Sequence, residues 1–289
     1  AAMRFLSEYQ RVEIETLGLA VRGRLGDTSA LDRLKSWATA KVDPLPAATA
    51  KLTNPEMMIG KPQLNEKVET DPNVLIRNSQ IRKVLAISSL GKTRQLDGPT
   101  MALQGLLDEN LEPSLKVRPL VIAVILSDAK KGWDGLVNAL IGDGPSFSER
   151  TRVEVLVYLS WLVSEKKDLM ASQKSGLDKE ILALLPNDAV QHVRKGVVMA
   201  IRALQPAESE ARTQLGMNMM GSPEDALLIV IRNLGSDAEI NKAFSEFKKK
   251  LSGPTADSRK TRIDQALAVV QGQIEMKSAR PPAQNTTDF

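Results

Sequence analysis

The chain has 289 residues, 42% apolar and 26% charged, with 39 Lys plus Arg against 35 Asp plus Glu and a net charge of +4. It holds no cysteine, one histidine (His192), five Phe, three Trp and two Tyr. These counts exclude disulfides, thiolate nucleophiles, Cys/His zinc sites and any Ser-His-Asp triad not centred on His192, and so mild a basicity falls well short of a dedicated nucleic-acid binder.

The length suits one large domain or two ordinary ones, and no apolar run approaches the ~18 residues of a membrane span. The first residues, Ala1-Ala2-Met3-Arg4, fit a short addition ahead of Met3 and equally a mature end left after a targeting peptide is removed. The compartment, cytoplasmic or extracytoplasmic, stays open on that ground. Residues 1–40 read as N-terminal helices. Phe5, Leu6, Tyr9, Val12, Leu17 and Val21 recur at three- and four-residue steps over 3–25, Gly26-Asp27-Thr28-Ser29 breaks the pattern, and a second helix is predicted over 30–40.

Residues 41–73 have another texture. Pro44, Pro46, Pro55, Pro62 and Pro72 punctuate them. Proline removes a donor and disfavours helix at the preceding residue, so a long irregular excursion is expected, of the kind that is functional or tied down by a partner.

From 74 to 276 the texture repeats. Ile81-Arg82, Val117-Arg118, Thr151-Arg152, Val193-Arg194 and Thr261-Arg262 each open a helix, with the arginines 36, 34, 42 and 68 residues apart. The fourth and fifth residues after each arginine are apolar in every case, from Ala86-Ile87 to Ala266-Leu267. Shorter return helices are predicted over 99–111, 132–141, 176–185 and 223–234. Ser222-Pro223-Glu224-Asp225 supplies a hydroxyl cap, a first-position proline and first-turn acids, and Ser146 with Glu149 has capping-box spacing. No segment alternates with period two, so the fold class is all-α. Residues 205–221, with Met217, Met219 and Met220, read as an irregular connection whose methionines plug an interface or form an adaptable contact. Residues 277–289, with Pro281-Pro282 and no apolar period, read as an extended C-terminal tail.

A helix pair repeated every thirty-four to forty-two residues is the signature of an α-solenoid. The arginine-led apolar phrases, with Leu90-Gly91, resemble HEAT repeats of the short, phycobilisome-lyase type over about 74–270, with 21–27 as a degenerate repeat before the excursion. The resemblance implies an all-α, HEAT-like right-handed solenoid of about five helix pairs. It also implies a structural Asp–Arg ladder linking neighbouring repeats: Arg82, then Asp108, Asp143 and Asp188 lying ten, nine and six positions ahead of Arg118, Arg152 and Arg194. The interval from Arg194 to Arg262 lacks its middle phrase, although Ile231-Arg232 lies nearby, so one repeat there is irregular.

Two clusters are candidate partner-binding sites. Lys130, Lys131 and Trp133 fall in an inter-helix turn, where the indole either stacks on a partner or a base or caps the core. Lys248, Lys249, Lys250, Arg259 and Lys260, with Lys242 and Arg262, form the densest positive region and suit an acidic protein face, nucleic acid or anionic lipid. Trp161 sits at core spacing, and His192 reads as an ordinary helix-end residue. No acid pair, nucleophile–base set, phosphate loop or metal cluster stands out, so no catalytic residue, metal or cofactor is assigned.

Stacked repeats leave an extended concave face, the usual binding surface of a solenoid. The expected function is a non-catalytic protein-binding scaffold or structural subunit of a larger assembly, whose partner is a protein or an extended segment of one. A nucleic-acid-binding role, by analogy with HEAT-like DNA glycosylases, is the alternative. A lyase-like enzyme is a third option that rests on fold analogy alone.

Overall fold

The computed structural model describes residues 8–45, 72–93, 98–142, 146–164, 176–206 and 222–278. Among these the chain is all-α, with twelve helices and no strand. The first two are α1 (Glu8–Arg24) and α2 (Thr28–Thr39). Gly26 takes a φ of 97°, and Asp27 caps α2 by accepting from the Ala30 amide at 3.1 Å. Next come α3 (Pro72–Lys92), α4 (Gly98–Leu107), α5 (Pro113–Ser127) and α6 (Ala129–Ile141). The Asp128 side chain caps α6 through the Lys131 amide at 3.1 Å.

The remaining helices are α7 (Glu149–Val163), α8 (Gly176–Leu184), α9 (Ala189–Ala203), α10 (Pro223–Leu234), α11 (Ala238–Lys250) and α12 (Ala256–Ser278). Helix α10 starts with the expected hydroxyl, proline and acid, joined as a full capping box between Ser222 and Asp225. It ends at Gly235, whose φ of 76° favours a residue without a Cβ. The cap of α7 is Ser148, which accepts from the Thr151 amide, and not Ser146.

Packing follows one pattern. Helices α1 and α2 lie against each other and against α3. From there α3, α5, α7, α10 and α12 each touch the next, while α4, α6, α9 and α11 form a second series of neighbours. The extra helix α8 packs on α5 and α7. One apolar core runs unbroken through the stack, from Leu19 in α1 to Val270 in α12. Apolar residues three and four apart put one stripe of each helix into it. Helices α3 and α5 approach closely enough that a Cβ on Gly91 would lie 2.8 Å from that of Ala123, and the Ser127 hydroxyl donates to the Gly91 carbonyl at 2.8 Å.

Gln80 is fully buried and closes the N-terminal end. Its amide donates to the carbonyls of Asp43 and Asn110, both at 2.8 Å, and accepts from the Glu112 amide at 3.1 Å. It thereby pins residues 41–45 to α3 and to the α4–α5 turn. Most of the proline-rich stretch, residues 46–71, lies outside the described residues, as do 207–221 with their three methionines and the tail 279–289.

Several expectations shift. Thr151-Arg152 falls in the first turn of α7, but other arginine phrases lie inside helices: α3 begins at Pro72, nine residues before Ile81, and α12 at Ala256. Arg194 sits on α9, which neighbours α6 and α11 as well as α7 and α10, so the arginine period passes from one helix series to the other. The cause is α8, which takes no place in either series. Helix α11 was not expected. Ile240, Ala243, Phe244 and Phe247 bury one face of it behind the cap Asp237, and each buried phenylalanine contributes about 2 kcal/mol.

Candidate functional site

A groove of about 330 Å³ opens where α5, α7 and α10 meet. Its floor is a stripe of α7 at helical spacing: Glu154, Val157, Tyr158 and Trp161. Val117 and Arg118 of α5 form one wall, and Ile229 and Asn233 of α10 the other. The Asn233 amide donates to Ser160 Oγ at 3.1 Å, which fixes α10 on α7.

The rings of Tyr158 and Trp161 stack, with centroids 6.2 Å apart at 26°. Trp161 is 37% exposed, so an aromatic surface faces solvent here. The expectation that Trp161 belongs to the core is corrected: its helical spacing is regular, but α7 turns this face to the groove.

Asp178 of α8 is fully buried. Its carboxylate accepts from Arg118 Nη2 at 2.9 Å and from the Tyr158 hydroxyl at 2.8 Å. A buried carboxylate with two donors is satisfied, and it ties α8 to both neighbours. Arg118 nevertheless keeps 57% of its side chain exposed at the groove wall. Burial, and then the bond to Asp178, pushes the Tyr158 phenol far above its ordinary range. This hydroxyl therefore stays protonated at neutral pH and donates to Asp178.

Glu154 is half-buried, and burial raises its carboxyl above the usual range; Arg150 opposes this and Glu112 adds to it. Arg150 itself is held by Glu112 in a two-pronged pair, Nη1 to Oε2 at 3.1 Å and Nη2 to Oε1. The groove thus brings together stacked rings, apolar walls and a carboxylate. Among the described residues no group of three or more His, Cys, Asp and Glu is placed to hold a metal.

The expected ladder is rewired. Asp108 pairs with Lys83 at 3.0 Å and not with Arg118, and its backbone carbonyl accepts from Lys116 Nζ at 2.6 Å. Asp188 lies 3.7 Å from His192 and not on Arg194, whose Nη2 instead donates to the Leu234 carbonyl. The acids stand at helix ends, where a lysine or histidine within reach takes them first. Arg82 places its guanidinium 5.3 Å from the Trp37 ring centroid, opposite Arg33 at 5.0 Å. Arg152 keeps its Nε buried without a hydrogen bond, and burial lowers its pKa against the pull of Glu149. Asp143 lies outside the described residues.

The two candidate clusters also change. Trp133 is 3% exposed and meets His192 edge-on at 6.0 Å, so it belongs to the core and not to a binding surface. Lys130 and Lys131 project to solvent and lie 3.9 Å from Asp134 and Asp128. Arg259 is 4% exposed and cannot meet a partner. Its Nε donates to Glu224 at 2.6 Å and its Nη1 to the Pro206 carbonyl at 3.2 Å. Lys248 pairs with Asp264, Lys260 with Asp257 at 3.5 Å, and Arg262 with Asp225 at 3.0 Å. Lys242, Lys249 and Lys250 are exposed. Much of the positive field that the sequence suggested is therefore matched by acids within the fold.

Sequence reasoning missed Glu154, Tyr158 and Asn233 as site residues. The i, i+4, i+7 stripe Glu154-Tyr158-Trp161 was visible, but nothing local shows that α10 and α8 flank it. Comparisons of the chain with known protein families, with curated proteins and with solved structures found no match.

Proposed function

We propose that the chain is a non-catalytic binding scaffold, built as a HEAT-like helical solenoid, that receives a segment of another protein in the α5–α7–α10 groove. The observation that carries this reading is the Trp161 ring, 37% exposed and stacked on Tyr158 beside apolar walls. Large rigid aromatics that stay exposed beside apolar walls are the anchors around which protein interfaces concentrate their binding energy. The two series of helix neighbours support the solenoid, because each helix pair closes its core only against the next. Glu154 on the groove floor disfavours the nucleic-acid alternative, since it would repel a phosphate backbone. No helix among the described residues is long and apolar enough to cross a membrane.

The test is a selection of displayed random peptides on the immobilised chain, with Trp161→Ala as the counter-screen. Peptides that bind the wild type and lose the variant are expected. If every enriched peptide binds both forms equally, the groove is not the binding surface.

A further inference from the structure

We propose that the α5–α7–α10 groove is selective for a basic side chain, the arginine or lysine of an extended partner segment, held between the Glu154 carboxylate and the Tyr158–Trp161 ring pair. The inference rests on the groove being a protein-binding site and names what that site recognises.

The first ground is an uncompensated charge. The Glu154 carboxylate makes no hydrogen bond or ion pair with any described residue, although it is half-buried in the groove that Val117, Val157 and Ile229 also line. A carboxylate withdrawn from water without a partner is costly, so folded proteins seldom keep one. The cations nearby are committed to other acids. Arg118 is held by the fully buried Asp178 at 2.9 Å, and Arg150 by both oxygens of Glu112. The fold supplies a negative group and assigns its own positive groups to other acids.

The second ground is what lies beside it. Tyr158 and Trp161 follow Glu154 by four and seven residues on one helix, so their faces continue the same stripe. A guanidinium or ammonium set against aromatic faces gains from their negative quadrupole, and the alkyl stem gains from apolar contact. A carboxylate at one end of the stripe then fixes the charged tip. At about 330 Å³ the groove accommodates one long side chain with a short stretch of backbone. An acidic side chain placed at the Glu154 end of the stripe meets a like charge there.

The test takes the peptides selected as dependent on Trp161 and measures their affinities by fluorescence polarisation for the wild type and for Glu154→Gln. The variant keeps the shape of the side chain and removes the charge; circular dichroism checks that its helices are intact. In parallel each arginine of the peptide is replaced by citrulline, which keeps the shape and removes the cation. The expected result is a fixed Arg or Lys in the selected sequences and a loss of roughly tenfold or more from either change, with no further loss when the two are combined. If Trp161-dependent peptides carry no fixed basic residue, or bind Glu154→Gln as tightly as the wild type, the inference is overturned while the groove remains a binding site. If no Trp161-dependent peptide is found, both readings fall.

Discussion

Arg259 offers the sharpest test of how the C-terminal helices are held. Its guanidinium is 4% exposed and its partner Glu224 is almost fully buried, 2.6 Å away, with the Pro206 carbonyl accepting a second bond. Arg259→Met keeps the stem and deletes the guanidinium with its five N–H donors, which removes the buried ion pair to the Glu224 carboxylate. Removing one partner of a buried pair costs about 3–5 kcal/mol, whereas an exposed pair is worth under about 1 kcal/mol. Lys260→Met, which breaks only the exposed contact to Asp257, is the matched control and should change stability by less than about 0.5 kcal/mol. In a stack where each helix touches only its neighbours, the loss should fall on α10 and α12 and leave α3 and α5 protected. Native-state hydrogen exchange read segment by segment measures this directly. The double variant Arg259→Met/Glu224→Leu removes both charges and should recover most of the loss. Arg259→Met within about 1 kcal/mol of the wild type, or a double variant no better than the single, would refute the buried pair as the tie between these helices.

Three further outcomes are expected. Gln80→Leu orphans two carbonyls and one amide that the side chain now satisfies, so urea unfolding should show a loss of about 1–3 kcal/mol and faster exchange over residues 41–45. Glu154 has its carboxyl raised by burial, so the folded state holds its proton to higher pH than the unfolded chain and stability falls as that proton leaves. Glu154→Gln should therefore be more stable than the wild type at pH 7 and should lose this part of the pH dependence; equal or lower stability across the range contradicts an uncompensated carboxylate. Lys116 is fully buried, with burial lowering its pKa to about 8 despite nearby Asp108, Glu109 and Glu112. The unfolded chain then binds the extra proton between about pH 8 and the ordinary lysine value of about 10.4, so stability should rise with pH over that window. Lys116→Met should abolish the rise in thermal melts.

How much of this was legible in the sequence depended on distance along the chain. Helix starts were readable where a cap and a periodic stripe coincide, as at Ser222-Pro223, because both signals act within four residues. Helix α11 escaped because Phe244 and Phe247 stand among lysines and glutamates, which hide a one-sided apolar stripe in a charged segment. The positive cluster misled for a related reason. Composition counts Arg259 with Lys249 and Lys250, but a guanidinium whose helix faces α10 meets Glu224, 35 residues earlier in the chain. The ladder misled because sequence spacing favours the nearest acid, whereas Arg118 finds Asp178 across 60 residues.

The groove lies where an additional helix interrupts the two series of helix neighbours. Seventy-four residues separate the start of α7 at Glu149 from that of α10 at Pro223, the next helix of the same series. The excess accommodates α8, which lies over α5 and α7 and in neither series. Asp178 is buried there and draws in Arg118 from α5 and Tyr158 from α7 as donors. That choice has two consequences for the floor beside it. It fixes the hydroxyl of the Tyr158 ring that stacks on Trp161, and it engages Arg118 at the groove wall. Local rules fail most often where a protein keeps a site, and here the broken repeat, the buried acid of the inserted helix and the unmatched carboxylate meet along one edge of α7.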